Sequence, residues 1–229
     1  MPFSAILFDL DDTLIDFKKS EGISLRKCYA NYFAHLSPWD VFQTHYNRVN
    51  RHLWDQAETG KIRTSMIGEM RFQEISNLYG VPYIPEIVQF YEEALVHHSE
   101  WIEGAEVLLE TLQAHSIPIG FVTNGFTHLQ REKERKLRLS RFSEIMIISE
   151  ECGVAKPHPQ IFHHALEKIQ SVPGKTLMIG DSLSSDGQGA QNVQMPFCWY
   201  NPNRLENPHS WQPTLIVHTL GSCLPAIII

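Results

Sequence analysis

The sequence predicts a doubly wound α/β architecture: a mostly parallel sheet with one all-helical insertion. Three observations predict it. Short apolar runs recur along the chain, and the first stops abruptly at acidic residues, as a strand buried on both faces of a parallel sheet does. Helical patterns separate the later runs, which is the strand–helix alternation of a doubly wound sheet. One long stretch, residues 16–99, carries helical patterns and no convincing strand.

Taken in order, the first strand is expected over residues 4–8, where Ala5, Ile6, Leu7 and Phe8 precede Asp9. The insertion follows, with helices expected over 21–33, 39–57, 64–79 and 85–97. Pro38, Gly60, Gly80-Val81-Pro82 and Pro85 punctuate them as turns. Five more apolar runs, at 117–122, 144–148, 176–179, 196–200 and 214–217, predict the remaining strands. Thr127 and Gln130 have the spacing of a capping box that opens a charged helix running to about residue 139. Pro159 suits the first turn of a helix whose apolar face is Ile161, Phe162, Ala165, Leu166 and Ile169. The apolar tail, residues 224–229, is expected to pack on the core.

Composition narrows the function classes. The chain has 229 residues, 43% hydrophobic and 20% charged, which excludes disordered and collagen-like classes. Nineteen Lys and Arg against 26 Asp and Glu give a net charge of −7. That balance argues against a nucleic-acid polymer or an acidic membrane as partner, but leaves room for a small phosphorylated ligand. Cys28, Cys152, Cys198 and Cys223 form no CxxC pair, so zinc and thioredoxin spacings are absent and inert thiols are expected. No basic segment opens the N-terminus and no apolar run reaches the roughly 20 residues of a membrane span. A cytoplasmic protein, monomeric or a small homo-oligomer, is the expectation.

The chemistry gathers at strand ends. Asp9-Leu10-Asp11-Asp12-Thr13 closes the first strand. Residues two apart on an extended chain point the same way, and open α/β sheets bind ligands outside the carboxyl ends of their strands. Two carboxylates there suit a nucleophile and a separate proton donor; the ordinary alternative is an acidic turn capped by Asp12 or Thr13. Thr123-Asn124-Gly125 ends the second strand with a hydroxyl, an amide and exposed backbone N–H groups suited to phosphate oxygens. Lys156, ahead of Pro157 and Pro159, offers a compact positive charge for a phosphate. Asp181 and Asp186 follow the 176–179 strand and suit a hard, oxygen-preferring Mg²⁺. Each piece alone reads as a turn, a loop lysine or a helix cap; four on successive strand ends point to one site.

Those four motifs, DxDxT at Asp9 to Thr13, Thr123, Lys156, and GDxxxxD carrying Asp181 and Asp186, resemble the haloacid dehalogenase-like hydrolases. The resemblance implies a Rossmann-like core at residues 1–15 and 100–229 with a helical cap at 16–99. Asp11, which dehalogenating members lack, points to the phosphatase side. Three segments are similar to the YjjG-type pyrimidine 5′-nucleotidases of bacteria: residues 123–130, residues 148–157, and a cap stretch with Leu53-Trp54, Gly60, Ile62 and Arg71-Phe72. Two departures stand out. Gly187 replaces the family's usual aliphatic residue, at a helix-propensity cost of about 1 kcal/mol relative to Ala. Gln194 replaces a small residue, often glycine, and is expected to alter a turn.

The resemblance implies Asp9 as nucleophile forming an aspartyl-phosphate and Asp11 as acid and then base. Mg²⁺ would be held by Asp9, Asp181, the backbone carbonyl of Asp11, and Asp186 in or just outside the first shell. Thr123, Asn124 and Lys156 would hold the phosphate, and a nucleoside monophosphate would be the substrate. The cap would close over the site, with Phe17, Trp54 and Phe72 as candidates for stacking on a base, although their positions also fit helix-core packing, which is the favoured reading. The His97-His98 and His163-His164 pairs do not face one another on a helix and are not expected to hold a metal. Three alternatives remain: a sugar-phosphate phosphatase, a phosphomutase returning the phosphate to a sugar, and a receiver-like phospho-accepting module with no enzymatic turnover.

Overall fold

The computed structural model describes residues 3–228. The chain divides into two compact units: Met1–Asp16 with Glu100–Ile229, and Phe17–Ser99.

The first unit begins with β1 (Ala5–Phe8). The chain then passes through the helical unit, α1 (Phe17–Tyr32), α2 (Trp39–Glu58), α3 (Ile67–Leu78) and α4 (Glu86–His97), and returns to α5 (Ala105–Ala114). There follow β2 (Ile119–Thr123), α6 (Thr127–Leu137), β3 (Met146–Ile148), the short α7 (Ser149–Cys152), α8 (Pro159–Lys168) and β4 (Thr176–Gly180). The chain finishes with α9 (Gln188–Asn192), β5 (Phe197–Tyr200), β6 (Leu215–Val217) and α10 (Leu224–Ile228). All six expected strands form. They make one parallel sheet in the order β3-β2-β1-β4-β5-β6.

Alternation along the strands separates two cores. Ile6, Phe8, Ile119, Phe121, Leu177, Ile179, Cys198 and Tyr200 belong to one cluster, together with Leu108, Leu109 and Leu112 of α5. Ala5, Leu7, Val122, Met178, Phe197 and Trp199 belong to the other, with Ile161, Phe162, Ala165 and Leu166 of α8. Both faces of the sheet are therefore covered, which is why its strands read as continuous apolar runs. Ile227 of α10 is fully buried, and Leu224 and Ile228 pack on the first cluster, so the tail closes the core; Ile229 lies outside the described residues.

The sheet order places a topological switch at β1, with β2 on one side and β4 on the other. Phe8 lies opposite both Phe121 and Ile179. The next residue, Asp9, continues the ladder by donating its N–H to the Ile179 carbonyl at 2.9 Å. A tight turn follows, with Asp12 at a left-handed φ of 63°, a conformation Asp tolerates better than most residues. Ile15 then bridges antiparallel to Trp101, so the segments leading into and out of the helical unit run side by side.

Within the helical unit, Phe33, Phe42, Tyr46, Phe72 and Tyr91 form an aromatic interior. Arg71 is buried there and donates from Nη1 to Tyr46 Oη at 3.2 Å. The Tyr46 and Tyr91 hydroxyls are hydrogen-bonded to each other at 2.5 Å, and both lie within reach of Glu21 Oε1, at 3.1 and 3.3 Å, for the proton that remains. Phe72 is fully buried, with its ring 5.3 Å from Tyr91 and 6.4 Å from Tyr46. Of the two roles open to it, core packing is the one it fills. Phe17 and Trp54 are half-buried. The expected 64–79 helix divides into a 3₁₀ turn at Thr64–Met66 and α3.

Two local expectations are corrected, those for the capping box and for Gly187. The capping box does not form: Phe126 is the N-cap of α6, and the Thr127 N–H is met by Glu150 Oε2 of α7 at 2.6 Å. Gln130 is drawn away to the site described below. Gln194 sits in its turn at a left-handed φ of 56°, a strain of about 1 kcal/mol for a residue with a Cβ. Gly187 is no simple loss of helix propensity. It ends a π-helical turn at Leu183–Gly187, and a Cβ there would lie 2.4 Å from Trp211 Cη2 and 2.9 Å from Phe197 Cε1. Trp211 occupies the space an aliphatic side chain would take. Gly187→Ala is therefore expected to destabilise by about 1–3 kcal/mol despite alanine's better propensity. Urea unfolding checks this, and Trp211→Ala in the same chain should recover part of the loss.

Candidate active site

Asp9, 6% exposed, ends β1. Its Oδ1 accepts from Lys156 Nζ at 2.5 Å. The same ammonium donates to Asp186 Oδ1 at 2.7 Å and to the Val122 carbonyl at 2.9 Å, so all three of its protons are placed. Lys156 is 2% exposed and Asp186 fully buried. Asp186 Oδ2 in turn accepts from the Ser182 N–H at 3.1 Å, which closes the loop after β4 around the carboxylate. Asp9, Asp181 and Asp186 each present a carboxylate oxygen within 4.8 Å of the others, and among the described residues they are the one such metal-competent group. Both His pairs stand outside it.

Thr13, read from sequence as part of the first motif or a cap, ties two strand ends together. Its hydroxyl accepts from the Asp181 N–H at 3.0 Å and lies 3.3 Å from Asp9 Oδ2 and 3.4 Å from Asp181 Oδ1. The Trp199 indole N–H holds the Asp181 carbonyl at 2.8 Å. Thr123 is fully buried at the end of β2 and accepts from Gln130 Nε2 at 2.9 Å.

The Asn124 side chain is turned to the lysine. Its side chain donates to the Lys156 carbonyl at 3.0 Å and accepts from the Lys156 N–H at 2.8 Å. Both ends of the amide are thereby committed to fixing the backbone of the lysine.

Asp11 is not in the carboxylate group around Lys156. Lys133 Nζ reaches its Oδ1 at 2.7 Å and its Oδ2 at 2.8 Å, and Gln130 Nε2 adds a third bond to Oδ2 at 2.9 Å. Neither Lys133 nor Gln130 was singled out for the site by the sequence. Their signal is the i, i+3 spacing on one face of α6, directly after the Thr123 turn.

The electrostatics are those of a crowded acidic pocket. Burial pushes the Asp9 carboxyl well above the usual carboxylate range; Lys156 pulls the other way, while Asp186 and Asp181 add to the rise. Burial opposes the Lys156 ammonium, but Asp186 and Asp9 outweigh it and hold its pKa above the ordinary lysine value. Three carboxylates against one lysine leave the pocket with negative charge that a cation would offset. The donor set is all carboxylate oxygen, from three side chains at two strand ends, Asp9 after β1 and Asp181 and Asp186 after β4, which fits a hard divalent cation such as Mg²⁺.

The chain is similar to known proteins over most of its length. A family model described as haloacid dehalogenase-like hydrolase matches residues 3–194. The crystal structure of the HAD-hydrolase YfnB from Bacillus subtilis bound to magnesium superposes with a TM-score of 0.85 at 29% identity, covering 100% of both chains. The pyrimidine 5′-nucleotidase YjjG of Escherichia coli is 31% identical over 221 residues, 96% of each chain. The glyceraldehyde 3-phosphate phosphatase of Pyrococcus furiosus is 31% identical over 195 residues, covering 85% of this chain and 79% of that one.

Proposed function

The chain belongs to the haloacid dehalogenase-like hydrolases, and from that premise we propose that it hydrolyses phosphomonoesters, with pyrimidine nucleoside 5′-monophosphates as substrates. The observation that carries the reading is the division of carboxylates at the strand ends. Asp9 is buried against Lys156 beside Asp181 and Asp186, while Asp11, two residues on, is held apart by Lys133 and Gln130.

In this reading an Asp9 oxygen attacks phosphorus, the bond to the leaving oxygen breaks, and Asp11 gives that oxygen its proton. A water then passes a proton to Asp11 and attacks the aspartyl-phosphate, releasing inorganic phosphate and the Asp9 carboxylate. The route replaces one very difficult hydrolysis with two easier steps. A carboxylate and a phosphate charge 4 Å apart repel by roughly 4 kcal/mol at an effective dielectric near 20. Lys156 would offset part of this, and the hydroxyl of Thr123, which accepts from Gln130 and keeps its own proton to donate, would give it to a phosphoryl oxygen. Asp9, Asp181 and Asp186, with the Asp11 backbone carbonyl, would hold Mg²⁺, which when bound neutralises charge and orients phosphoryl oxygens.

The pyrimidine nucleotide assignment is supported by the similarity to YjjG over nearly the whole chain and by the three segments quoted from the sequence. The similarity to a glyceraldehyde 3-phosphate phosphatase favours a second reading, a sugar-phosphate phosphatase with the same chemistry. Phosphate release from UMP, dUMP, dTMP, purine monophosphates and triose and hexose phosphates separates the two. The expected result is turnover led by the pyrimidine monophosphates and lost with a chelator. Preference for sugar phosphates would replace the substrate assignment. Sugar-phosphate isomerisation without phosphate release, or a long-lived phospho-Asp9, would overturn the hydrolytic mechanism.

A further inference from the structure

We propose that Lys133 and Gln130 are positioning residues for Asp11, acting as one clamp on α6 that sets the acid/base carboxylate and the Thr123 hydroxyl in register. The proposal rests on the phosphomonoesterase reading above. Its ground is geometric. Three N–H donors from two residues one helical turn apart meet both oxygens of the Asp11 carboxylate, at 2.7, 2.8 and 2.9 Å. The Asp11 side chain is 22% exposed, so without them it would be free to turn toward solvent.

The clamp runs against the ordinary preferences of its helix. The charged residues of α6 are Arg131, Glu132, Lys133, Glu134, Arg135 and Lys136, and of these only Lys133 is buried, its side chain 3% exposed. An ammonium leaves water at a cost of several kcal/mol unless it is well paired. The Gln130 amide is arranged with both N–H groups outward to Asp11 and Thr123, at 2.9 Å each, while its Oε1 is buried with no hydrogen-bond partner among the described residues. Turning the amide over would place that oxygen against the Asp11 carboxylate, so the unmet carbonyl is the consequence of directing two donors at two site residues. Gly125 makes room for this: a Cβ at that position would lie 2.7 Å from Gln130 Nε2. A helix cap needs none of these features.

Lys133 also completes a division of charge. Lys156 is paired with Asp9 and Asp186, and Lys133 with Asp11, so each arm of the chemistry has its own cation. Fixing a reacting group to within an ångström is worth about 10²-fold in rate.

The test is a double-mutant cycle of Lys133→Met and Asp11→Asn, read as kcat/KM on UMP and on p-nitrophenyl phosphate. The p-nitrophenolate leaving group needs little protonation. Lys133→Met is expected to lower kcat/KM on UMP by about 10- to 100-fold and on p-nitrophenyl phosphate by less, with the inhibition constant for inorganic phosphate unchanged. In the Asp11→Asn background it should cost nothing further, because the group it positions is gone. Lys133→Arg should restore part of the loss. Should Lys133→Met fail to fold, the neutral change Gln130→Leu takes its place in the same cycle. Equal losses in both backgrounds, or on both substrates, would overturn the proposal and leave Lys133 a packing residue. Full activity in Asp11→Asn alone would instead overturn the acid/base reading on which the proposal stands.

Discussion

Asp9→Asn is expected to lower phosphate release by about 10⁴-fold or more, roughly 5 kcal/mol of transition-state stabilisation, while the chain stays folded. Asparagine keeps the shape of the side chain but offers no anionic oxygen to attack phosphorus. The fold is expected to survive because Lys156 retains Asp186 and the Val122 carbonyl as partners. The substitution also removes a carboxylate that is buried and crowded by two others. The thermal midpoint of the metal-free variant should therefore not fall below that of the wild type at neutral pH. Substantial residual turnover in a folded Asp9→Asn enzyme would sink the covalent route. A large drop in its midpoint would show that Asp9 holds the strand end together, contrary to the pocket described above.

Lys156→Met should have the largest effect on stability, about 3–5 kcal/mol, together with loss of activity. Breaking a buried ion pair by removing one partner leaves an uncompensated charge, and here one ammonium serves two buried carboxylates. The sign with pH follows from the two groups. The Lys156 pKa lies above its ordinary 10.5, so its contribution is fully present below about pH 10.5 and is lost only as pH climbs through the raised value. The Asp9 pKa lies above its ordinary 3.8, so its contribution is fully present below about pH 3.8 and is lost as pH rises through its raised value. Without the lysine, which is the main influence lowering the Asp9 pKa, that loss grows and extends to higher pH. The deficit of Lys156→Met relative to wild type should shrink between pH 8 and pH 5 in metal-free urea melts. A deficit that is constant across that range, or below about 1 kcal/mol, would mean the ammonium is not what keeps Asp9 and Asp186 in place.

Much of the fold is legible because its signals are local. A strand buried on both faces writes itself as a short apolar run, and all six runs became strands. The helical segment between residues 16 and 99 shows itself by the absence of such runs. The motifs at strand ends are legible for the same reason, since a polar residue that stops an apolar run marks where the sheet ends. The corrected expectations share a different character. Thr127 and Gln130 have the spacing of a cap, but Glu150 takes the Thr127 N–H and Asp11 takes the Gln130 amide. Gly187 looks like a costly residue in a helix until Trp211, distant in sequence, fills the space above it. The Asn124 amide, at the end of β2, is engaged in the same way by the backbone of Lys156. In each case a residue suited to a local role is engaged by a partner on another element.

The sequence by itself determined the sheet, the inserted helical segment and the positions of the carboxylates, because period, apolar runs and motif spacing act over a few residues. Only the tertiary structure decided that Lys133 serves Asp11 and that Lys156 is shared between Asp9 and Asp186. Lys156 and Asp9 are 147 positions apart, and Lys133 and Asp11 are 122 apart. Such pairs are chosen by where the parallel strands end and which helix face turns inward. The energy that selects them, the cost of burying a charge unpaired, exists only once the core has excluded water.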